Sequence, residues 1–125
     1  MAGLTFDAGG LIAFERNDRR LVALVARCLE RGFTMAVPAG VVGQVWRDGR
    51  RQARLAWLLG SNAIEIETLD DQRARHAGQL CGVRGTSDVI DASVVLCARA
   101  RGHRIATSDP HDMRRLDETA HVIVI

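Results

Sequence analysis

"TSDVIDASVVLCARARG", residues 86–102, opens on a Thr/Ser pair, closes on a glycine, and is almost wholly apolar between its acids and its arginines. The pattern predicts a helix running from a Thr/Ser cap to a glycine stop. A helix apolar on nearly all sides is packed on several sides, next to a sheet. Working outward, "HRIAT" (103–107) reads as a strand, "PHDMRRLDE" (110–118) as a helix and "HVIVI" (121–125) as a closing strand. Upstream, "DDQRARHAGQLCG" (70–82) reads as a helix ending at Gly82, and "AIEIETL" (63–69) alternates with the period of a strand.

The N-terminal half repeats the alternation. "GLTF" (3–6) is a short apolar run ending at Asp7, and "GGLIAFE" begins a helical pattern. From Asp18, Leu21, Leu24, Val25, Cys28 and Leu29 recur at helical spacing up to Gly32, and "FTMAV" (33–37) is strand-like. Pro38 then opens "PAGVVGQVWRDG" as a helix with Val41, Val42, Val45 and Trp46 on its apolar side, and "RRQARLAWLLG" continues as another to Gly60. Strands alternating with helices predict one α/β domain over residues 1–125, its parallel sheet covered on both faces.

The bulk numbers fit a soluble, cytoplasmic chain. Hydrophobic content is 47% and charged content 26% in 125 residues, enough to bury a core without staples. No stretch approaches the roughly 18 apolar residues of a membrane span, and the start lacks the layout of a signal peptide. Three widely spaced cysteines, Cys28, Cys81 and Cys97, read as buried thiols of a reducing compartment. Net charge is only +2, so no large basic field is present. All 17 Lys/Arg residues are arginine, which excludes Schiff-base, P-loop and phospho-acceptor chemistry that needs lysine.

In open parallel sheets, sites form beyond the carboxyl ends of the strands, where strand order reverses. Asp7 directly follows the first predicted strand, and Asp109 follows "HRIAT" by one residue. Asp88 and Asp91 share a helix face at i and i+3. Each has an ordinary reading: Asp7 as a turn or cap, Asp88 as a first-turn charge, Asp109 as a cap with Pro110 at the first helical position and Asp112 a turn further on. Asp91 fits such a reading worst, because an unpaired carboxylate inside an apolar helix is costly. Acids from separate loops at one sheet edge repel and call for a cation. All-oxygen ligands suit Mg²⁺ or Mn²⁺, and such ions serve phosphoryl chemistry.

"LTFDAGGLIAFE", "PAGVVGQVWRDG", "TSDVIDASVVLCARARG" and "IATSDPHDMRRL" resemble, in order and over essentially the whole chain, the PIN-domain ribonucleases. The nearest resemblance is to the small VapC toxins of bacterial toxin–antitoxin pairs. It implies a three-layer α/β/α sandwich with a mostly parallel central sheet and a Mg²⁺- or Mn²⁺-dependent endoribonuclease, a hydrolase of RNA phosphodiester bonds. It implies a VapB-type antitoxin that blocks the site, and a homodimer. By position, Asp7, Asp91 and Asp109 carry over as metal-holding acids and Asp88 as an auxiliary. Asp112 matches a commonly acidic neighbour, and Thr107 and Ser108 are expected to orient Asp109 or contact a phosphate.

One position departs from the pattern. Where the family usually has a glutamate, this chain has Gln44, which keeps an oxygen but brings no charge. The alternative expectation is therefore a PIN-like RNA- or partner-binding domain with little or no nuclease activity. Arg47, Arg50, Arg51 and Arg54, with Arg114 and Arg115, are candidate phosphate contacts or solvated helix faces. His111 is a further candidate contact beside the acid loop. Trp46, Trp57, Leu58 and Leu59 read mostly as core, with part of this region forming the groove for an antitoxin helix that the resemblance implies. Other strand-end acid chemistries fit less well: a dehalogenase-like phosphatase wants an acid where Gly9 stands, and "DAGG" is a weak phosphate loop.

Overall fold

The structure, a computed structural model, describes residues 3–125. Chain order begins β1 (Gly3–Phe6), α1 (Ala8–Glu15), α2 (Arg19–Arg31), β2 (Thr34–Pro38), α3 (Ala39–Val45) and α4 (Ala53–Leu59). It continues with β3 (Ile64–Glu67), α5 (Asp71–Arg84), α6 (Val89–Arg101), β4 (Arg104–Thr107), α7 (Pro110–Leu116) and β5 (Val122–Val124). The five strands form one sheet in the order β3-β2-β1-β4-β5, with every pairing parallel. Strand order reverses between β1 and β4, where β1 pairs with β2 on one side and β4 on the other.

Alternation along the strands assigns the two faces. Thr5 and Ile105 are register partners, as are Phe6 and Ala106. Thr5 turns its hydroxyl towards Cys97 of α6, whereas a Cβ on Gly10 of α1 would touch the Cβ of Ala106. Thus α6 lies on one face and α1 on the other, giving the expected three-layer sandwich. β1 is buried along its whole length, as the central strand should be. Ala92, Val94, Val95 and Ala98 of α6 are buried, which accounts for a helix with almost no polar side.

Several boundaries differ from the sequence reading. Asp88, not the Thr/Ser pair, caps α6, its Oδ1 accepting from the Asp91 N–H. α5 runs past Gly82 to Arg84 and stops at Gly85, whose left-handed conformation (φ 70°) ends the helix. Pro38 closes β2 and also stands at the cap of α3, whose first helical residue is Ala39. α3 ends at Val45, so Trp46 lies outside it, extended and 40% exposed. Residues 46–52 do not continue the helix because Gln52 binds their backbone groups. Its Oε1 accepts from the Arg47 and Asp48 N–H groups, while Nε2 donates to the Val45 carbonyl and the Glu15 carboxylate.

His103 stands just outside β4, buried, with Thr5 and Thr34 at its two ring nitrogens (3.0 and 2.8 Å). Gly3 makes room for the ring, since a Cβ there would lie 2.2 Å from Nε2. Burial lowers the His103 pKa, ahead of the nearby Arg101 charge, and keeps the ring neutral. None of the helices among the described residues is long and apolar enough to cross a membrane.

Candidate active site

Asp7 emerges from β1 at the strand-order reversal and is only 5% exposed. It caps α1, with Oδ1 accepting from the Gly10 N–H at 2.8 Å. Oδ2 accepts from the Thr107 hydroxyl at the end of β4. Burial raises the Asp7 pKa, opposed by the Thr107 hydroxyl and the Gly10 amide, while the Asp109 charge adds to the rise.

The first turn of α1 can approach β4 this closely because it carries two glycines. A Cβ on Gly10 would lie 2.6 Å from the Ala106 carbonyl oxygen, and one on Gly9 would lie 2.0 Å from Ser108 Oγ. "DAGG" is therefore a close-packing device. Paired glycines inside a helical pattern carried that signal, because such glycines need a packing reason.

Thr107 ties Asp7 to the second acid loop. Its Oγ1 accepts from the Asp109 N–H at 2.8 Å while donating to Asp7. Asp109 occupies the cap position of α7, but its carboxylate makes no cap hydrogen bond, contrary to the cap reading. The Asp109 carboxyl raises the pKa of Asp112, through hydrogen bonding ahead of burial and charge.

Asp91, in the first turn of α6, is half-buried. Its pKa is pushed up to about 7 by burial first, then by the charges of Asp88, Asp7 and Asp112. Acids from the ends of β1 and β4 and from the start of α6 thus act on one another electrostatically. Cys81, also raised by burial and by Asp88 and Asp91, stays a thiol and offers no thiolate. A donor set of mutually repelling carboxylate oxygens fits a hard divalent cation. Among the described residues, no three His, Cys, Asp or Glu side chains stand close enough to grip an ion as placed.

The Gln44 side chain is exposed and makes no hydrogen bond among the described residues. It lies one turn beyond Gly40, which packs against Ile90, the residue before Asp91: a Cβ on Gly40 would lie 2.4 Å from Ile90 Cδ1. Arg47 spends its guanidinium on the Gly43 and Trp46 carbonyls, Arg51 pairs with Asp48, and Arg115 donates to the Gly85 carbonyl. The side chains of Arg50, Arg54 and Arg114 have no partner among the described residues. His111 is exposed and its charge acts on Asp112.

Leu58 is core, but Trp57 is 57% exposed and stacks on Phe14 with ring centroids 6.4 Å apart. Phe14, Trp57, Arg54, Val22 and Leu29 line an apolar groove of about 530 Å³ between α1, α2 and α4.

No protein-family profile and no curated protein matches the sequence. Solved structures do match the fold, and they define its class as PIN-like. A chain of Rickettsia felis VapBC2, solved bound to a DNA fragment from its promoter, is 14% identical with a TM-score of 0.69, covering 98% of each chain. FitAcB of Neisseria gonorrhoeae is 17% identical with a TM-score of 0.63, covering 96% of each. VapC20 of Mycobacterium tuberculosis, described as a toxin that cleaves the sarcin–ricin loop, is 18% identical with a TM-score of 0.56, covering 84% of this chain and 87% of that one. This chain thus shares, over nearly its full length, the fold of PIN-domain toxins of the VapC and FitB type.

Proposed function

We propose that the chain is a Mg²⁺- or Mn²⁺-dependent endoribonuclease, the toxin of a toxin–antitoxin pair. What supports this reading most is the placement of Asp7 and Asp109 at the ends of β1 and β4, joined through Thr107, with Asp91 at the start of α6 under the charges of Asp7, Asp88 and Asp112. Asp7, Asp91 and Asp109 would hold the ion, with Asp88 and Asp112 adding negative charge around it. A bound divalent ion supplies an activated water and steadies phosphoryl charge. The chain's own part is to orient Asp7 through Gly10 and Thr107, and to aim Asp109 through its backbone contact with Thr107. Ser108 and the unpartnered guanidiniums of Arg50 and Arg114 are the proposed phosphate contacts, with Arg47 and Arg51 available only on release of their present partners.

The groove walled by Phe14 and Trp57 would receive an apolar segment of a VapB-type antitoxin, and Trp46, exposed just after α3, is a further candidate contact. We take the protein to be a single cytoplasmic domain that works as a homodimer. Titration calorimetry with Mn²⁺ and Mg²⁺, on the native chain and an Asp7→Asn/Asp91→Asn variant, tests the reading. Binding lost in the variant, together with metal-dependent RNA cleavage, is the expected result. No binding by the native chain would sink it.

Gln44 supports a second reading, a PIN-like binding domain with weak or absent cleavage. It puts an exposed, uncharged amide one turn from the α3–α6 contact. Gln44→Glu separates the two: cleavage that appears only in the variant favours the binding domain.

A further inference from the structure

Gly9, Ile12 and Ala13 of α1 and its C-cap Arg16 follow one another along one side at i, i+3, i+4 and i+7. With Ser108 and Ile125 they enclose a cavity of about 480 Å³, separate from the Phe14–Trp57 groove. Gly9 and Ser108 of its lining touch one another, two residues beyond Asp7 and one before Asp109. Its volume lies within the roughly 300–1,000 Å³ range of small-ligand sites.

The lining selects among ligands. Ile12, Ala13 and Ile125 offer apolar surface to a flat ring. The Arg16 guanidinium has no partner among the described residues and is free to donate in pairs. Asp18 also lines the cavity; its Oδ1 accepts from the Leu21 N–H at 3.1 Å, leaving Oδ2 as an acceptor. Arg16 and Asp18 make no ion pair with each other. A phosphate inside would meet the Asp18 charge, and a purely apolar ligand would leave the hydrogen-bonding capacity of both exposed charged groups unused. Guanine presents adjacent acceptors, O6 and N7, to a guanidinium, and adjacent donors, N1–H and the 2-amino group, to a carboxylate.

We propose that this cavity takes the guanine base of an RNA nucleotide whose neighbouring phosphate lies at the acids, making Arg16 and Asp18 the residues that set base preference. The inference rests on the nuclease reading for its substrate. The cavity itself is testable without cleavage.

The first arm follows methyl resonances of Ala13, Ile12 and Ile125 in the full chain, without metal, during titration with guanosine 5′-monophosphate and cytidine 5′-monophosphate. The guanine nucleotide should shift them and the cytosine nucleotide should not. Arg16→Ala should weaken the guanine response about tenfold, as loss of a bidentate base contact does, and Asp18→Asn, which replaces the free Oδ2 acceptor by a donor, should weaken it as well. Asparagine still caps α2, so Asp18→Asn preserves the fold. Ala13→Trp, checked for folding by circular dichroism, should abolish the response by filling the cavity.

The second arm maps cleavage ends on a random RNA pool with Mn²⁺. The native chain should favour guanine at one position beside the cut, and Arg16→Ala should relax that preference while Mn²⁺ binding is unchanged. Methyls that do not move, or that move equally for both nucleotides, overturn the inference whatever the cleavage result. A guanine response in a chain that neither binds metal nor cuts RNA refutes the nuclease reading alone.

Discussion

Thr107 Oγ1 donates to Oδ2 of Asp7 across the β1–β4 junction, and both side chains are buried. Thr107→Val leaves a buried carboxylate oxygen without its donor, at a cost of about 1–3 kcal/mol. The hydroxyl stabilises the charged form of Asp7, whose folded pKa already stands above its ordinary value. Its removal raises that pKa further, so the cost should be smaller near pH 4 than near pH 8. Urea unfolding at the two pH values checks this. An equal cost at both would leave only packing and the lost Asp109 N–H contact to explain it.

Asp91 predicts a stability that falls with rising pH. Its folded pKa of about 7 exceeds the ordinary 3.8, so between those values the folded state binds more protons than the unfolded one. The loss should begin near pH 4 and be complete above 7. Asp91→Asn should flatten the slope and raise stability at pH 8 by on the order of 2 kcal/mol, while abolishing Mn²⁺ binding. In the native chain, proton competition should weaken Mn²⁺ about tenfold per pH unit below 7. Calorimetry across pH 5–8 reads both effects.

Two glycines should respond oppositely to alanine. At Gly10 the new methyl meets the Ala106 carbonyl oxygen at 2.6 Å, and backbone must shift. Gly10→Ala should cost about 1–3 kcal/mol and disturb the Asp7 cap. Gly43, inside α3, has nothing within 4 Å of an added Cβ. Gly43→Ala should stabilise by about 0.5–1 kcal/mol. Thermal unfolding of both variants makes the comparison.

Gln52 should be unexpectedly intolerant for a glutamine. Its truncation to alanine orphans two backbone N–H groups and the Val45 carbonyl. A destabilisation of roughly 2–4 kcal/mol should follow, with faster hydrogen exchange at Arg47 and Asp48 than elsewhere. Uniform exchange across the chain would contradict this account.

Periodicity made most of the fold readable. The run from Val89 to Arg101 could belong only beside a sheet, and the strands around it followed. Boundaries went astray where one side chain decided them: Asp88 took the cap from Thr86 and Ser87, and Gln52 broke what pattern alone continued as helix. The positions of Asp7 and Asp109 at strand ends were legible from order. Their link through Thr107 was not, because hydrogen bonds between residues about one hundred apart leave no trace in local pattern. Asp91 was singled out by cost, as the acid least comfortable in its helix, and its raised pKa is the same discomfort expressed as proton affinity.

The central strand takes a neighbour from far along the chain. β1 pairs with β4 across about one hundred residues, so the Asp7–Thr107 contact waits until β4 has been made. On a ribosome, a chain that has emerged only as far as α6 holds Asp7, Asp88 and Asp91 but has nothing to join Asp7 to a second acid loop. If these acids cut RNA, the order of synthesis is itself a safety catch. The Asp7–Thr107–Asp109 link forms only after β4 has left the exit tunnel.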